Sequence, residues 1–100
     1  MDINITKDDF DLTEELEIFN KNSSDHGAVS IFIGKVRPEN GLQSMQIDCY
    51  PEMAQKEIKN MAEIACSKWT LNNIRVLHRY GSLKPNDNIV LVITGSSHRS

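Results

Sequence analysis

Apolar positions along the chain fall into short strands and two helices. Residues 2–6 predict a short edge strand. Asp11 followed three residues later by Glu14 matches a helical capping box, and the apolar spacing after it predicts a helix ending near Asn20. The apolar run over 27–33 predicts a buried strand, and alternation over 42–50 predicts the next strand.

The clearest helix is predicted over residues 51–69, because Pro51 suits a first helical turn. Apolar residues then recur every three or four positions and predict one buried stripe: Met53, Ala54, Ile58, Met61, Ala62, Ala65, Cys66 and Trp69. Two further strands are predicted over 74–81 and 88–94, joined by a hairpin-like loop at 83–87.

This order of elements predicts an α+β fold. We expect a single domain over residues 1–100, with a mostly antiparallel sheet and both helices packed on one side of it.

Composition excludes several classes of protein. The net charge of −3 argues against a general nucleic-acid binder, since phosphate affinity requires a basic face. No apolar run is long enough to span a bilayer, and the first residues lack a signal-peptide pattern, so we expect a cytoplasmic protein with no membrane partner. Cys49 and Cys66 have no metal-ligand spacing, which predicts two reduced core thiols and no metal site.

Basic residues stand at three predicted strand ends: Lys35 and Arg37, His78 and Arg79, and His98 and Arg99. If the strands at 27–33 and 88–94 bring Arg37 and Arg99 to the same edge, they form an anion pocket on an acidic protein. The alternative is that each is a solvated loop charge.

His78 shares its strand parity with Ile74 and Val76. This parity favours a hydrogen-bonded, structural position on the core side over a position in a pocket. Arg79 has the opposite parity, and we expect it to pair with an acidic neighbour.

The end of the sequence carries a further pattern. A strongly apolar strand is followed by Ser96-Ser97-His98-Arg99, and serine is a preferred residue at the start of a helix. No helix follows in the hundred residues, so we expect an enzyme domain whose last part is missing.

Four segments together resemble the catalytic (large) subunit of molybdopterin synthase. They are Gly27–Arg37, Tyr50–Ala54 opening a helix that closes on Trp69, His78–Leu83, and Ser96–Arg99. They occur in the family's order and at compatible spacings, from about residue 26 to the last residue.

The resemblance implies a hammerhead-type α+β fold and a homodimer that becomes a heterotetramer with a small ubiquitin-like sulfur-carrier subunit. That partner carries a thiocarboxylate on its Gly-Gly C-terminus. The implied reaction transfers its sulfur to cyclic pyranopterin monophosphate and forms the dithiolene of molybdopterin. No further cofactor is implied.

The resemblance also implies roles for individual residues. Lys35, Val36 and Arg37 match the family's first substrate-binding segment, and His98 and Arg99 match its second, catalytic segment. Arg37 and Arg99 are expected to bind the substrate phosphate or the partner's C-terminus, and His98 to orient the substrate or shuttle a proton. His78 and Arg79 match a structural motif.

One feature of the family is absent from the sequence. The family has a Trp-Lys-Lys or Trp-Lys-Arg segment that carries its catalytic lysines. This segment has no counterpart in the hundred residues, so we expect a protein made of these residues alone to be inactive. The alternatives are a non-catalytic relative that only binds the ubiquitin-like partner or the pterin, and an unrelated α+β binding module.

Overall fold

A four-stranded mixed sheet forms the centre of the molecule in a computed structural model that describes residues 1–22, 26–41 and 43–97. The elements in chain order are β1 (Asp2–Thr6), α1 (Leu12–Asn22), β2 (Ala28–Lys35), β3 (Met45–Ile47), α2 (Pro51–Trp69), β4 (Asn73–Arg79), β5 (Gly81–Leu83) and β6 (Asn88–Ser96). The α+β class is confirmed.

The strand order in this sheet is β1-β4-β6-β2. β6 pairs antiparallel with β4 and with β2, whereas β1 joins β4 in parallel, with Asp2 opposite Arg75 and Thr6 opposite Arg79. The sheet is therefore mixed, and the expected edge strand at 2–6 is present.

The two helices pack on opposite faces of the sheet. Along β4, Val76 belongs to a core cluster with Ala62 of α2, whereas the next residue, Leu77, belongs to a second cluster with Phe19 of α1. Because successive strand residues point to opposite faces, α1 and α2 cover different faces. The expectation that both helices lie on one side is wrong.

The predicted helix bounds are close to the observed ones. The Asp11 side chain accepts a hydrogen bond from the Glu14 backbone N–H at 3.2 Å, so the predicted cap starts α1. α2 spans the predicted residues, and Thr70 closes it in the left-handed conformation.

The predicted apolar stripe of α2 is only partly buried. Ala62 packs against β4, with Ile58, Ala65 and Cys66 beside it. Met53 and Met61 are each 61% exposed, and Trp69 is 64% exposed. The prediction fails for these three residues because the sheet covers a narrower arc of the helix than its apolar residues occupy.

A two-stranded sheet of β3 and β5 lies beside the main one. The strand predicted over 42–50 is reduced to three residues, and the strand predicted over 74–81 is interrupted after Arg79. Gly81 has φ of +96°, a conformation that favours glycine and redirects the chain from β4 into β5.

Candidate functional site

The segment Lys35–Arg37 leaves the sheet through an irregularity in strand pairing. Gly34 pairs with Val90, but Lys35 pairs with Asn88, so the register shifts between them. Such bulges re-aim the side chains that follow. The Val36 N–H then donates to the Asp87 carbonyl at 2.9 Å, and the Asn86 N–H donates to the Val36 carbonyl at the same distance.

Val36 anchors this segment, because its side chain is only 1% exposed. Lys35 and Arg37 on either side of it are exposed. Two cations are thus presented to solvent from a backbone that is held on both sides of the valine. A guanidinium fork and a compact ammonium placed in this way suit a phosphate or a carboxylate.

The same end of the sheet carries further charged residues from other elements. Lys7 follows β1, which runs parallel to β4, and lies with its ammonium 5.5 Å from the centre of the Tyr80 ring. Lys84 lies in the loop that holds Val36, and its backbone N–H donates to the Asp87 carboxylate at 2.8 Å. The sequence did not place Lys7 at this end of the sheet, because the parallel pairing of β1 with β4 leaves no local signal.

The Arg79 guanidinium is held by hydrogen bonds within the fold. Its Nη1 donates to the Asn88 carbonyl at 2.9 Å, and its Nε and Nη2 donate to the Lys7 carbonyl, each at 3.3 Å. The carboxylate of Asp9 lies 3.8 Å from Nη1. Arg79 therefore joins the ends of three elements, and the expectation of an acidic neighbour is confirmed.

Asp9 is the acid at this end whose ionisation the fold favours. A hydrogen bond from the Asn88 side chain is the largest cause that holds the pKa of Asp9 below its ordinary value. The Phe10 N–H and the charges of Arg79 and Lys35 act in the same direction, while partial burial opposes them. Asp9 therefore stays ionised and offsets part of the local positive charge.

The second predicted segment follows the other end of the sheet. Ser96, at the end of β6, pairs with Ala28, at the start of β2. Seven residue steps of about 3.3 Å separate Ala28 from Lys35, which makes roughly 23 Å. The pairing therefore places the end of β6 at the opposite end of β2 from Lys35, and the juxtaposition of Arg37 with Arg99 stays a prediction. His98 and Arg99 themselves lie outside the described residues.

His78 is hydrogen-bonded as expected, but it also lines a cavity. Its Nδ1 lies 2.8 Å from the Arg79 carbonyl oxygen. The cavity has a volume of about 600 Å³ and lies between β3, the start of α2 and His78. The core position predicted from parity is therefore only partly correct, because His78 is half-buried and lines this cavity.

The two thiols and the metal-ligating side chains were compared with the arrangement that a metal site requires, within the described residues. Cys49 and Cys66 are free and half-buried. Across residues 1–22, 26–41 and 43–97, no group of three or more His, Cys, Asp or Glu side chains is arranged to hold a metal ion. In the same part of the chain no helix has the length and apolar character needed to cross a membrane.

Comparison with known proteins gives the family. The family model described as MoaE protein matches residues 5–100. A molybdopterin synthase catalytic subunit from Brucella melitensis is 42% identical over 100 residues, and the match covers 99% of this chain and 61% of that protein. One from Mesorhizobium japonicum is 39% identical over 98 residues, covering 97% and 62%. The chain thus spans about three fifths of these relatives' length.

Solved structures agree with the sequence comparison. The molybdopterin biosynthesis MoaE protein from Burkholderia ambifaria superposes with a TM-score of 0.89 at 36% identity, covering 98% of this chain and 65% of that one. Molybdopterin synthase from Staphylococcus aureus gives 0.82 at 29% identity, covering 97% and 72%. The chain belongs to the MoaE protein family.

Proposed function

We propose that this chain is the catalytic part of a molybdopterin synthase. The complete catalytic subunit receives sulfur from the thiocarboxylated C-terminus of a small ubiquitin-like partner and transfers it, twice, to cyclic pyranopterin monophosphate, forming the dithiolene of molybdopterin. The similarity to catalytic subunits over nearly the whole of this chain supports this reaction over a binding-only relative. A cytoplasmic location is part of the same proposal, because it is the location expected for this reaction.

The observation that carries the proposal is the anchored segment Lys35–Val36–Arg37. Buried Val36 fixes the backbone, and two exposed cations flank it. An anionic pterin phosphate and a thiocarboxylate both require such donors, held in place before the substrate arrives. Lys35 and Arg37 are therefore assigned to substrate binding, with Arg37 placed on the phosphate or on the partner's terminus.

The second segment, His98 and Arg99, is assigned to the same site through a second copy of the chain. Antiparallel pairing of β2 with β2 of another copy about a two-fold axis places the end that carries Arg37 beside the partner copy's Ala28 end. β6 finishes at that end, with Ser96 opposite Ala28. Arg37 of one copy and His98 and Arg99 of the other then face one substrate.

The surface of β2 supports this homodimer. β2 pairs on only one side, with β6, in the sheet formed by the described residues. Its side chains Val29, Ile31 and Phe32 are 40%, 42% and 60% exposed. A long apolar edge strand without charges before Lys35 is a template for pairing with another strand. The heterotetramer follows when each copy binds one sulfur-carrier subunit.

The hundred residues hold both substrate-binding segments but not the family's lysine pair. Assayed by themselves, they are therefore proposed to bind substrate and partner without turnover. The reaction is tested with the protein as its native gene encodes it, supplied with the thiocarboxylated partner and cyclic pyranopterin monophosphate. Molybdopterin formed only when both are present supports the proposal, and tight binding without product supports the binding-only relative.

A further inference from the structure

The cavity beside His78 has a chemistry unlike that of the Lys35–Arg37 segment. Its lining comes from β3, the β3–α2 connection, the first turns of α2 and β4: Ile47, Asp48, Cys49, Tyr50, Met53, Ala54, Glu57, Ile58 and His78. A volume of about 600 Å³ is in the range of small-molecule sites. None of these residues belongs to the segment that we assign to the pterin substrate.

The charge of the lining is negative. Asp48 and Glu57 contribute two carboxylates from different elements, and no lysine or arginine lines the cavity. The N-terminus of α2 lies at the same place and adds about half a positive charge, which reduces the field of two full carboxylates but does not reverse it. The cavity therefore favours a cation over an anion.

His78 adds a hydrogen-bond acceptor. The Arg79 carbonyl, 2.8 Å from Nδ1, can only accept a hydrogen bond, so Nδ1 carries the proton in the neutral ring. This tautomer leaves Nε2 as an acceptor. The polar groups of the cavity are thus mainly acceptors, while Ile47, Ala54 and Ile58 supply apolar surface.

We propose that this cavity binds a small organic cation, an ammonium or amidinium group carried on an apolar body. The cationic group lies between Asp48 and Glu57, and the apolar body packs against the isoleucines and the exposed ring of Tyr50. The inference does not depend on the sulfur-transfer reaction.

The test uses benzamidine as the probe and the neutral benzamide as its matched isostere. Backbone amide NMR shifts are followed during titration of each compound. Benzamidine is expected to give saturable shifts centred on Cys49, Tyr50 and Ala54, with benzamide binding at least tenfold more weakly. Glu57→Gln is expected to weaken benzamidine about tenfold, and Glu63→Gln, the same change at an exposed position of α2 outside the cavity, to leave it unchanged.

Three results overturn the proposal. They are equal affinity for benzamide and benzamidine, equal loss of affinity in Glu57→Gln and Glu63→Gln, and shifts that remain linear in probe concentration. Thermal melting of both variants checks folding. Because Glu57 and Glu63 are exposed, neither substitution is expected to alter the fold.

Discussion

Arg37 is the residue at which charge and hydrogen-bond geometry can be separated by substitution. Arg37→Lys keeps the positive charge but loses the planar fork of donors. In the protein as its native gene encodes it, we therefore expect kcat/KM for sulfur transfer to fall about tenfold. Arg37→Ala loses both the charge and the donors, so kcat/KM is expected to fall about a hundredfold or more. Steady-state assays give these values, and urea unfolding should show stability within about 0.5 kcal/mol of the native protein because Arg37 is exposed. Native kcat/KM in Arg37→Lys would contradict a bidentate contact.

Asp9 makes the stability of the sheet end that carries Lys35 depend on pH. The fold lowers the pKa of Asp9, so its contribution to stability is present above the unfolded pKa of about 3.9 and is lost as pH falls through the folded pKa. Asp9→Ala is expected to destabilise the protein at pH 7 by less than about 1 kcal/mol, because the group is largely solvated. Urea unfolding at several pH values measures this.

Asp8→Ala is the control for that experiment, since it removes the same charge from the adjacent exposed residue. The difference between the native protein and Asp9→Ala should narrow below about pH 4. A difference that stays constant down to pH 2 would show that the charge of Asp9 is not the cause.

Gly95, near the end of β6, has no room for a side chain. A Cβ there would lie 2.5 Å from His26 Nε2, and that imidazole is stacked on Phe19 with ring centres 5.0 Å apart. Gly95→Ala is therefore expected to cost about 1–3 kcal/mol in unfolding free energy. The cost should be smaller when Gly95→Ala is introduced into His26→Ala, because the clashing ring is then gone. Additive costs in the double mutant would contradict this contact.

At the level of elements, β2 provides the prediction on assembly. Phe32→Asp places a charge on the exposed edge strand and is expected to convert a dimer into a monomer, as measured by sedimentation velocity. Met61→Asp is the matched control, because Met61 is 61% exposed on α2 and Phe32 is 60% exposed. If Met61→Asp is monomeric and Phe32→Asp is still dimeric, the interface lies on α2 and not on β2.

Local sequence signals predicted most of the elements. The bounds of α2 follow from Pro51 and helical periodicity, and the start of α1 follows from the Asp11 cap, since both signals act within one turn. The segment 35–37, which we propose to bind substrate, could be identified as a candidate from the sequence because its residues are contiguous. The hydrogen bonds from this segment to Asn86 and Asp87 were not predicted, because those contacts join distant parts of the chain.

The misses share a physical cause. The sequence pattern showed that successive side chains of β4 point to opposite faces of the sheet. It does not tell whether a helix covers one face or both, so the placement of α1 and α2 on opposite sides was missed. The exposed positions of Met61 and Trp69 reflect how much of α2 the sheet covers, which no helical pattern contains. The second sheet was missed because three-residue strands are too short for alternation to be recognised.

At the scale of the whole molecule, the antiparallel pairing of β2 with β6 places the last residue of β6 at the opposite end of β2 from Lys35. Lys35 and Ala28 mark opposite ends of β2, and β6 finishes beside Ala28. A site that uses Arg37 together with Arg99 is then most simply built from two copies, each supplying one segment to each of two sites. The proposed function depends on such a site shared between two copies.

Complementation between two inactive variants tests whether the site is shared. Arg37→Ala and Arg99→Ala are each introduced into the protein as its native gene encodes it, and each variant is expected to be nearly inactive in sulfur transfer. When they are mixed in equal amounts, dissociated and re-associated, half of the dimers are mixed and each mixed dimer holds one intact site. Molybdopterin formation should therefore recover to about a quarter of the native rate. A mixture that stays as inactive as the single variants would contradict a site shared between two copies.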